Sequence, residues 1–91
     1  MGIKEKIQEE IDVADKAVNK HYIVLYNDDI NTFDHVIDML VDVCDHTPEQ
    51  AEQCSLIVHY KGKCTVKTGS YDDLKQRCSK LLQADLSAEI I

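Results

Sequence analysis

A run of five strand-forming residues that stops at three polar ones constrains this chain more than any other feature. Residues 22–26, Tyr-Ile-Val-Leu-Tyr, have the β-branched and aromatic character of a strand. Asn27, Asp28 and Asp29 follow directly, and residues of these types end strands and begin turns. A buried strand that ends in an amide and two carboxylates brings hydrogen-bond acceptors to one edge of a core. Such a turn indicates a place that receives a cation.

Length and charge exclude several classes of protein. The 91 residues predict one domain, near the small end of what a single core supports. The net charge of -7 argues against nucleic-acid phosphates as the partner. No apolar run approaches the ~20 residues that cross a bilayer. The first residues, Met-Gly-Ile-Lys-Glu-Lys, lack the apolar segment of a secretion signal, so we expect a cytoplasmic location.

The cysteines and histidines do not predict a metal site or a cofactor. The cysteines are never fewer than ten residues apart, so no C-x-x-C pair indicates zinc binding or redox chemistry. In a reducing compartment such thiols are most simply small buried hydrophobes. The histidines show no metal-ligand spacing either. The residues concerned are Cys44, Cys54, Cys64 and Cys78, together with His21, His35, His46 and His59.

Residues 1–20 carry a thin stripe of apolar residues at spacings of three and four, which is the spacing of one helix face. No strong cap or glycine bounds the stripe, so a docked helix and a mobile arm that is helical part of the time are both open. We therefore divide the chain into an N-terminal extension, residues 1–20, and a core domain, residues 21–91. The stripe consists of Ile3, Ile7, Ile11, Ala14 and Val18.

Three later segments have clearer helical periodicity. The first follows the polar turn, with Asn31 as the expected N-cap and Asp34 as the acid of a capping box. The second has Thr47 as N-cap and ends before Gly62, and the third follows the turn Thr68-Gly69-Ser70, which doubles as its cap. The faces predicted to point inward are Phe33, Val36, Ile37, Leu40, Val41 and Cys44; then Ala51, Cys54, Ser55, Ile57 and Val58; then Tyr71, Leu74, Cys78, Leu81 and Leu82.

Two more segments have strand character. Residues 64–67 alternate between polar and apolar, and residues 86–91 are apolar again after a break. The order is strand, helix, helix, strand, helix, strand. With so few elements, the economical packing is an α+β sandwich in which a three-stranded sheet carries three helices on one face.

One constellation can carry chemistry. His59 lies near the end of the second helix, and it reaches Asn27 and Asp28 if that helix packs beside the first strand. An amide oxygen, a carboxylate and an imidazole nitrogen around one point satisfy the three N–H donors of a primary ammonium. The same residues could form a catalytic Asp–His pair or simply tie the turn to the helix. No nucleophile motif and no glycine-rich phosphate loop is present in the sequence.

The motifs and their order resemble the ClpS family, adaptors of the Clp protease system and of the bacterial N-end rule pathway. The resemblance is carried by the strand, the Asn27-Asp28-Asp29 turn, the helix after it, and a second motif that is followed by a short strand. That second motif is Val58-His59-Tyr60-x-Gly62-Lys63. The resemblance spans residues 22–90 and implies the fold of the ClpS proteins and of the ribosomal L7/L12 C-terminal domain.

The resemblance implies a recognition module and not an enzyme, with no cofactor. ClpS proteins bind substrates whose N-terminal residue is Leu, Phe, Tyr or Trp, which are called N-degrons. They deliver these substrates to a ClpA- or ClpC-type AAA+ unfoldase, which feeds the ClpP peptidase. By position, Asn27, Asp28 and His59 would hold the substrate's α-amino group. The side-chain pocket would be lined by Leu25, Asn31, Phe33, Val36, Ser55, Val58 and Leu86.

Three pocket positions depart from the commonest family pattern. Phe33 and Ser55 stand where the family often has Met, and Asn31 stands where it often has Thr. We expect a reshaped pocket, because Phe33 is a larger and stiffer residue at the rim and Ser55 removes volume from the wall and adds a hydroxyl to it. The resemblance also implies that Asp72 and Arg77 contact the N-terminal domain of the unfoldase. We expect a monomer that binds neither nucleic acid nor membrane.

Two other functions fit the residues. A module of the same fold with a different client is one, since the ribosomal L7/L12 C-terminal domain binds translation factors. That domain lacks the Asn-Asp-Asp turn and the His-Tyr pair, which argues against it here. A small hydrolase that uses Asp28 and His59 is the other, and it lacks a nucleophile, a metal or a cofactor.

Overall fold

The computed structural model describes residues 20–91, so the expected N-terminal extension lies outside the described residues except for Lys20. The division at residue 20 therefore stays a prediction. Within the described residues the element order is strand, helix, helix, strand, helix, strand, as predicted. The elements are β1 (His21–Tyr26), α1 (Phe33–Cys44), α2 (Pro48–Lys61), β2 (Lys63–Gly69), α3 (Tyr71–Gln83) and β3 (Ser87–Ile90).

The three strands form one antiparallel sheet in the order β2-β1-β3, with β1 in the centre. The apolar run of β1 is explained by this position, because a central strand has neighbours on both edges. Ile23 and Leu25 are 0% and 1% exposed and join the core with the three helices. The predicted sheet and the helical layer on one of its faces are thus confirmed. None of the helices in residues 20–91 has the length and apolar character of a membrane span.

A β-bulge interrupts the pairing of β1 with β2. Ile23 pairs with Lys67 and Val24 with Thr65, so Val66 is left between the two pairs. The His46 Nε2 atom lies 2.7 Å from the Val66 carbonyl oxygen. Because a carbonyl only accepts, this nitrogen carries the proton and donates it. The connection between α1 and α2 is thereby fixed to the sheet.

The helix caps agree with the sequence at two of three positions. The Thr47 and Ser70 side chains accept from the N–H groups of the third residue after them, as N-caps do. The expected N-cap Asn31 is wrong, because Thr32 caps α1 by accepting from the His35 N–H at 3.1 Å. The Asn31 side chain is directed instead to Asp28 and Asp85, to which its Nδ2 atom donates, as described below.

The buried helix faces are narrower than the periodicity predicts. On α2, Ile57 is 41% exposed because it lies about 200° around the helix from buried Ser55. On α1, Val43 is buried together with Leu40 and Cys44, and the predicted Val41 is only partly buried. On α3 the ends of the predicted face, Tyr71 and Leu82, are half exposed, and the buried residues are Leu74, Cys78 and Leu81.

Candidate functional site

The end of β1 is joined directly to the end of α2. The Asn27 N–H donates to the Gly62 carbonyl oxygen at 2.9 Å. Gly62 is the C-cap of α2 with φ +94°, a conformation that glycine adopts readily, and its N–H donates to the Val58 carbonyl. This junction places His59, in the last turn of α2, beside the polar turn.

The Asp28 carboxylate organises that turn. Its Oδ1 atom accepts from the backbone N–H groups of Ile30 and Asn31 at 3.0 Å each, which forms an Asx turn. The Asn31 Nδ2 atom donates to both carboxylate oxygens at 3.1 and 3.0 Å. Partial burial acts to raise the pKa of Asp28, but the hydrogen bonds from Asn31 and Ile30, helped by the nearby His35, outweigh it and lower the pKa. Asp28 therefore carries a fixed negative charge.

Two long-range bonds close the opposite wall. The Asn31 Nδ2 atom also donates to the Asp85 carbonyl oxygen at 2.8 Å, and the His35 Nε2 atom donates to the Ala84 carbonyl oxygen at 2.9 Å. Both carbonyls belong to the segment between α3 and β3. These bonds hold that segment against the start of α1. They also place Leu86, which is 3% exposed, beside the polar turn.

These junctions enclose a cavity of about 290 Å³. The structure brings together around it all ten residues that the sequence indicated for the amino group and the side-chain pocket. Asp72 and Arg77 lie apart from it on α3. The lining residues are Leu25, Tyr26, Asn27, Asp28, Asp29, Asn31, Phe33, Val36, Ser55, Val58, His59 and Leu86.

Burial divides the cavity into a polar mouth and a mostly apolar interior. The interior wall contains Leu25, Ser55, Val58 and Leu86, which are between 1% and 6% exposed. Asn27, Asp29, Phe33 and His59 are exposed and form the mouth. The arrangement suits a ligand with an apolar body and a cationic end.

Aromatic contacts fix the side of the mouth formed by α2. The Phe33 and His59 rings meet edge to face with centroids 5.3 Å apart, and the His59 and Tyr60 rings do so at 4.8 Å. Phe33 is 45% exposed, so its ring forms part of the rim and not of the core. The imidazole is thereby held between two rings beside the turn.

The thiols of the core are poor nucleophiles. Burial raises the pKa of the Cys44 thiol to about 11, and burial together with the nearby Cys64 raises that of Cys54 to about 12. These thiols stay protonated near neutral pH. Within the part of the chain that the structure describes, no cluster of three His, Cys, Asp or Glu residues could hold a metal ion.

Arg77 is bonded within the domain. Its guanidinium donates to Asp73 Oδ2 at 3.0 Å, to Asp45 Oδ2 at 3.1 Å, and to the Val43 carbonyl oxygen. The side chain therefore links α3 to the end of α1. Asp72, in the first turn of α3, is exposed.

Sequence reasoning did not assign two lining residues, Tyr26 and Asp29. Tyr26 reads as the last residue of the strand, and its hydroxyl donates to Glu89 at 2.6 Å. Asp29 directly follows Asn27 and Asp28 in the sequence, so its place in this polar turn could have indicated that it also lines the cavity. The Asx turn at Asp28 also had a signal, because an Asp side chain often accepts from the backbone N–H two residues later.

The fold and the cavity together define a small α+β binding module whose pocket has a mostly apolar interior and a polar mouth. A family model described as "ATP-dependent Clp protease adaptor protein ClpS" matches residues 16–89. The adaptor ClpS of Acetivibrio thermocellus is 35% identical over 72 residues, which cover 79% of this chain and 73% of that protein. The adaptor ClpS of Treponema denticola is 27% identical over 86 residues, 92% of this chain and 85% of that protein.

A solved structure has the same fold. Agrobacterium tumefaciens ClpS2 bound to L-phenylalaninamide superposes with a TM-score of 0.76 over 80% of this chain and 95% of that chain, at 15% identity. The chain belongs to the ClpS family of Clp protease adaptors. It is accordingly an adaptor of the Clp protease and not an enzyme, which excludes the hydrolase.

Proposed function

We propose that this adaptor binds the free N-termini of proteins that begin with Leu, Phe, Tyr or Trp and delivers them to a ClpA- or ClpC-type AAA+ unfoldase for degradation by ClpP. The observation that carries the proposal is the cavity with an apolar interior and hydrogen-bond acceptors at its mouth. A substrate N-terminus has the complementary form, an apolar side chain beside a cationic amine.

The α-amino group would be held by Asn27, Asp28 and His59. A primary ammonium has three N–H donors and needs three acceptors once it leaves water. The Asn27 side-chain oxygen, a ring nitrogen of His59 and the Asp28 carboxylate provide them. On Asp28, Oδ1 already accepts three hydrogen bonds from the turn and Oδ2 accepts one, so Oδ2 has the greater remaining capacity.

The side chain would enter the interior. A buried Leu or Phe contributes about 1.5–3 kcal/mol. Hydrogen bonds to a charged group contribute about 1.5–3 kcal/mol each. Micromolar affinity needs about 8 kcal/mol. One residue and its amine can therefore supply micromolar binding, provided the pocket is preformed so that little ordering opposes it.

The related ClpS2 supports this assignment. It was solved with L-phenylalaninamide, a molecule that combines a free amine with an apolar aromatic side chain and has no carboxylate. Those are the features of an N-terminal residue in a chain. The same chemistry fits the mouth and the interior of the present cavity.

Delivery would use a second surface. The first turn of α3 offers the exposed Asp72 as a contact for the N-terminal domain of the unfoldase, with Arg77 on the same helix. We propose that the adaptor acts as a monomer, because one domain carries both the cavity and this surface.

The test compares peptides that differ only at the amine. A peptide that begins with Phe should bind with micromolar affinity, and its N-acetylated form should bind at least about 100-fold more weakly because buried acceptors stay unpaired. His59→Ala should weaken the free peptide about tenfold or more while the protein remains folded, since His59 is exposed. Isothermal calorimetry or fluorescence anisotropy measures both effects.

Gln53→Ala is the matched control, because Gln53 is exposed on the same helix and does not line the cavity. It should bind as the wild type does. Equal affinity for free and acetylated peptides, or no binding of either, would exclude the proposed function.

A further inference from the structure

The interior of the cavity contains one buried polar side chain among the described residues that line it, Ser55. It is 2% exposed, and the other buried residues that line the cavity are Leu25, Val58 and Leu86. A hydroxyl in such surroundings needs a partner, and any ligand that fills the interior comes to rest against it.

The hydrogen bond that Ser55 makes fixes what its hydroxyl can offer. Oγ lies 2.8 Å from the carbonyl oxygen of Ala51, one turn earlier in α2. A carbonyl oxygen cannot donate, so the only proton of the hydroxyl points to Ala51. The remaining capacity of Oγ is its lone pairs. Towards a ligand, Ser55 is therefore an acceptor and not a donor.

From this acceptor we infer that the pocket selects an N-terminal tyrosine over phenylalanine, with the phenol hydroxyl donating to Ser55 Oγ. The inference rests on the proposed function and specifies the ligand of the same cavity. Tyrosine carries its donor at the tip of the side chain, where it meets the interior wall. An indole N–H lies on the flank of its ring, and leucine has no donor at all.

The serine also removes a penalty. A phenol hydroxyl that enters an apolar cavity loses its hydrogen bonds to water, which disfavours tyrosine unless the wall supplies an acceptor. Phenylalanine loses nothing of this kind. When the Ser55 hydroxyl is removed, the pocket should therefore prefer phenylalanine over tyrosine. The affinity for leucine, whose side chain has no polar group, should not depend on this hydroxyl.

The experiment uses three peptides with the same sequence after the first residue, which is Tyr, Phe or Leu. Dissociation constants are measured by calorimetry for the wild type, Ser55→Ala and Ser55→Thr. The wild type should bind the Tyr peptide about threefold to tenfold more tightly than the Phe peptide. Ser55→Ala should bind Tyr more weakly than Phe, and its affinity for Leu should change less than about twofold.

Two variants separate the hydroxyl from other effects. Ser55→Thr keeps an oxygen that bonds one turn back, so the preference for Tyr should survive even where the added methyl group weakens both aromatic peptides. Ser79→Ala removes an exposed serine on α3 that does not line the cavity, and it should match the wild type throughout. Circular dichroism verifies that each variant is folded.

The inference is overturned if the wild type binds Tyr and Phe equally, or if Ser55→Ala keeps the preference for Tyr. Those results leave the proposed function standing, because free N-termini still bind. Failure of all three peptides to bind would instead reject the proposed function, and the inference with it.

Discussion

At the scale of the residue, Asp28 links the stability of the domain to the shape of its mouth. Its carboxylate accepts from the N–H groups of Ile30 and Asn31, which holds the backbone after β1 in its turn. Asn31 Nδ2 donates to the same carboxylate and to the Asp85 carbonyl oxygen, so it connects the turn to the opposite wall of the cavity. A pocket held in place in this way needs little ordering on binding, which favours affinity.

The pH dependence of folding tests this role of Asp28. Because folding lowers the pKa of Asp28 from its ordinary value of 3.8, its stabilising effect is complete above that value and is lost as the pH falls through the lower folded pKa. We expect Asp28→Asn to lower the free energy of unfolding at pH 7. The difference from the wild type should shrink as the pH falls below about 4. Urea unfolding followed by circular dichroism measures it.

Asp38→Asn is the control for general charge effects, because Asp38 is exposed on the outer side of α1. Its effect on the free energy of unfolding at pH 7 should stay within about 0.5 kcal/mol. A large Asp28→Asn difference that persists undiminished at low pH would show that the carboxylate charge is not what holds the turn.

At the scale of the element, local patterns were sufficient for the order of helices and strands and for two caps. Thr47 and Ser70 each precede a clear helical period, and the structure confirms both. The choice between Asn31 and Thr32 as N-cap could not be made locally, because both are capping residues. In the structure the Asn31 side chain donates to Asp28, three residues before it, and to the Asp85 carbonyl oxygen, 54 residues away, while Thr32 caps the helix.

The candidate site likewise contains residues that local sequence patterns predict and residues that they do not. Spacing alone indicated an acceptor group of Asn27, Asp28 and His59, whose meeting depended on α2 packing beside β1. The walls of the cavity come from β1, α1, α2 and the residue before β3, and only the family resemblance named those positions together. The bulge at Val66 had no signal, since no glycine marks it and its carbonyl is satisfied by His46 from another element.

The junction between β1 and α2 depends on Gly62. Its φ of +94° strains any residue with a Cβ, although a Cβ there meets no heavy atom within 4 Å among the described residues. We expect Gly62→Ala to lower the free energy of unfolding by about 1–2 kcal/mol for conformational reasons alone. Urea unfolding measures the loss.

Gly69→Ala is the matched control for Gly62→Ala. The Gly69 backbone does not have a positive φ, and an added Cβ would make ordinary contacts of 3.5 Å with Asp73 and 3.6 Å with Leu74. Its effect should stay within about 0.5 kcal/mol. Equal effects of the two substitutions would show that the cost at Gly62 is not conformational.

At the scale of the whole molecule, the cavity and α3 are separate surfaces. Within the described residues, no α3 side chain lines the cavity. The net charge of -7 favours the approach of a cationic N-terminus, and the acceptors proposed for its donors lie at the cavity mouth. Substrate binding and unfoldase docking should therefore be separable by substitution.

Asp72 is the residue with which to separate them. Asp72→Lys should weaken binding to the N-terminal domain of the Clp unfoldase about tenfold by reversing a rim charge. Its free energy of unfolding should stay within about 0.5 kcal/mol of the wild-type value, and its affinity for a Phe peptide should stay within about twofold of the wild-type affinity. Arg77→Ala should instead lower the free energy of unfolding by about 1–2 kcal/mol, because it removes bonds to Asp45 and the Val43 carbonyl. Pull-down titration measures binding to the unfoldase, and urea unfolding measures stability. If Asp72→Lys binds the unfoldase as tightly as the wild type does, the docking surface does not include the start of α3.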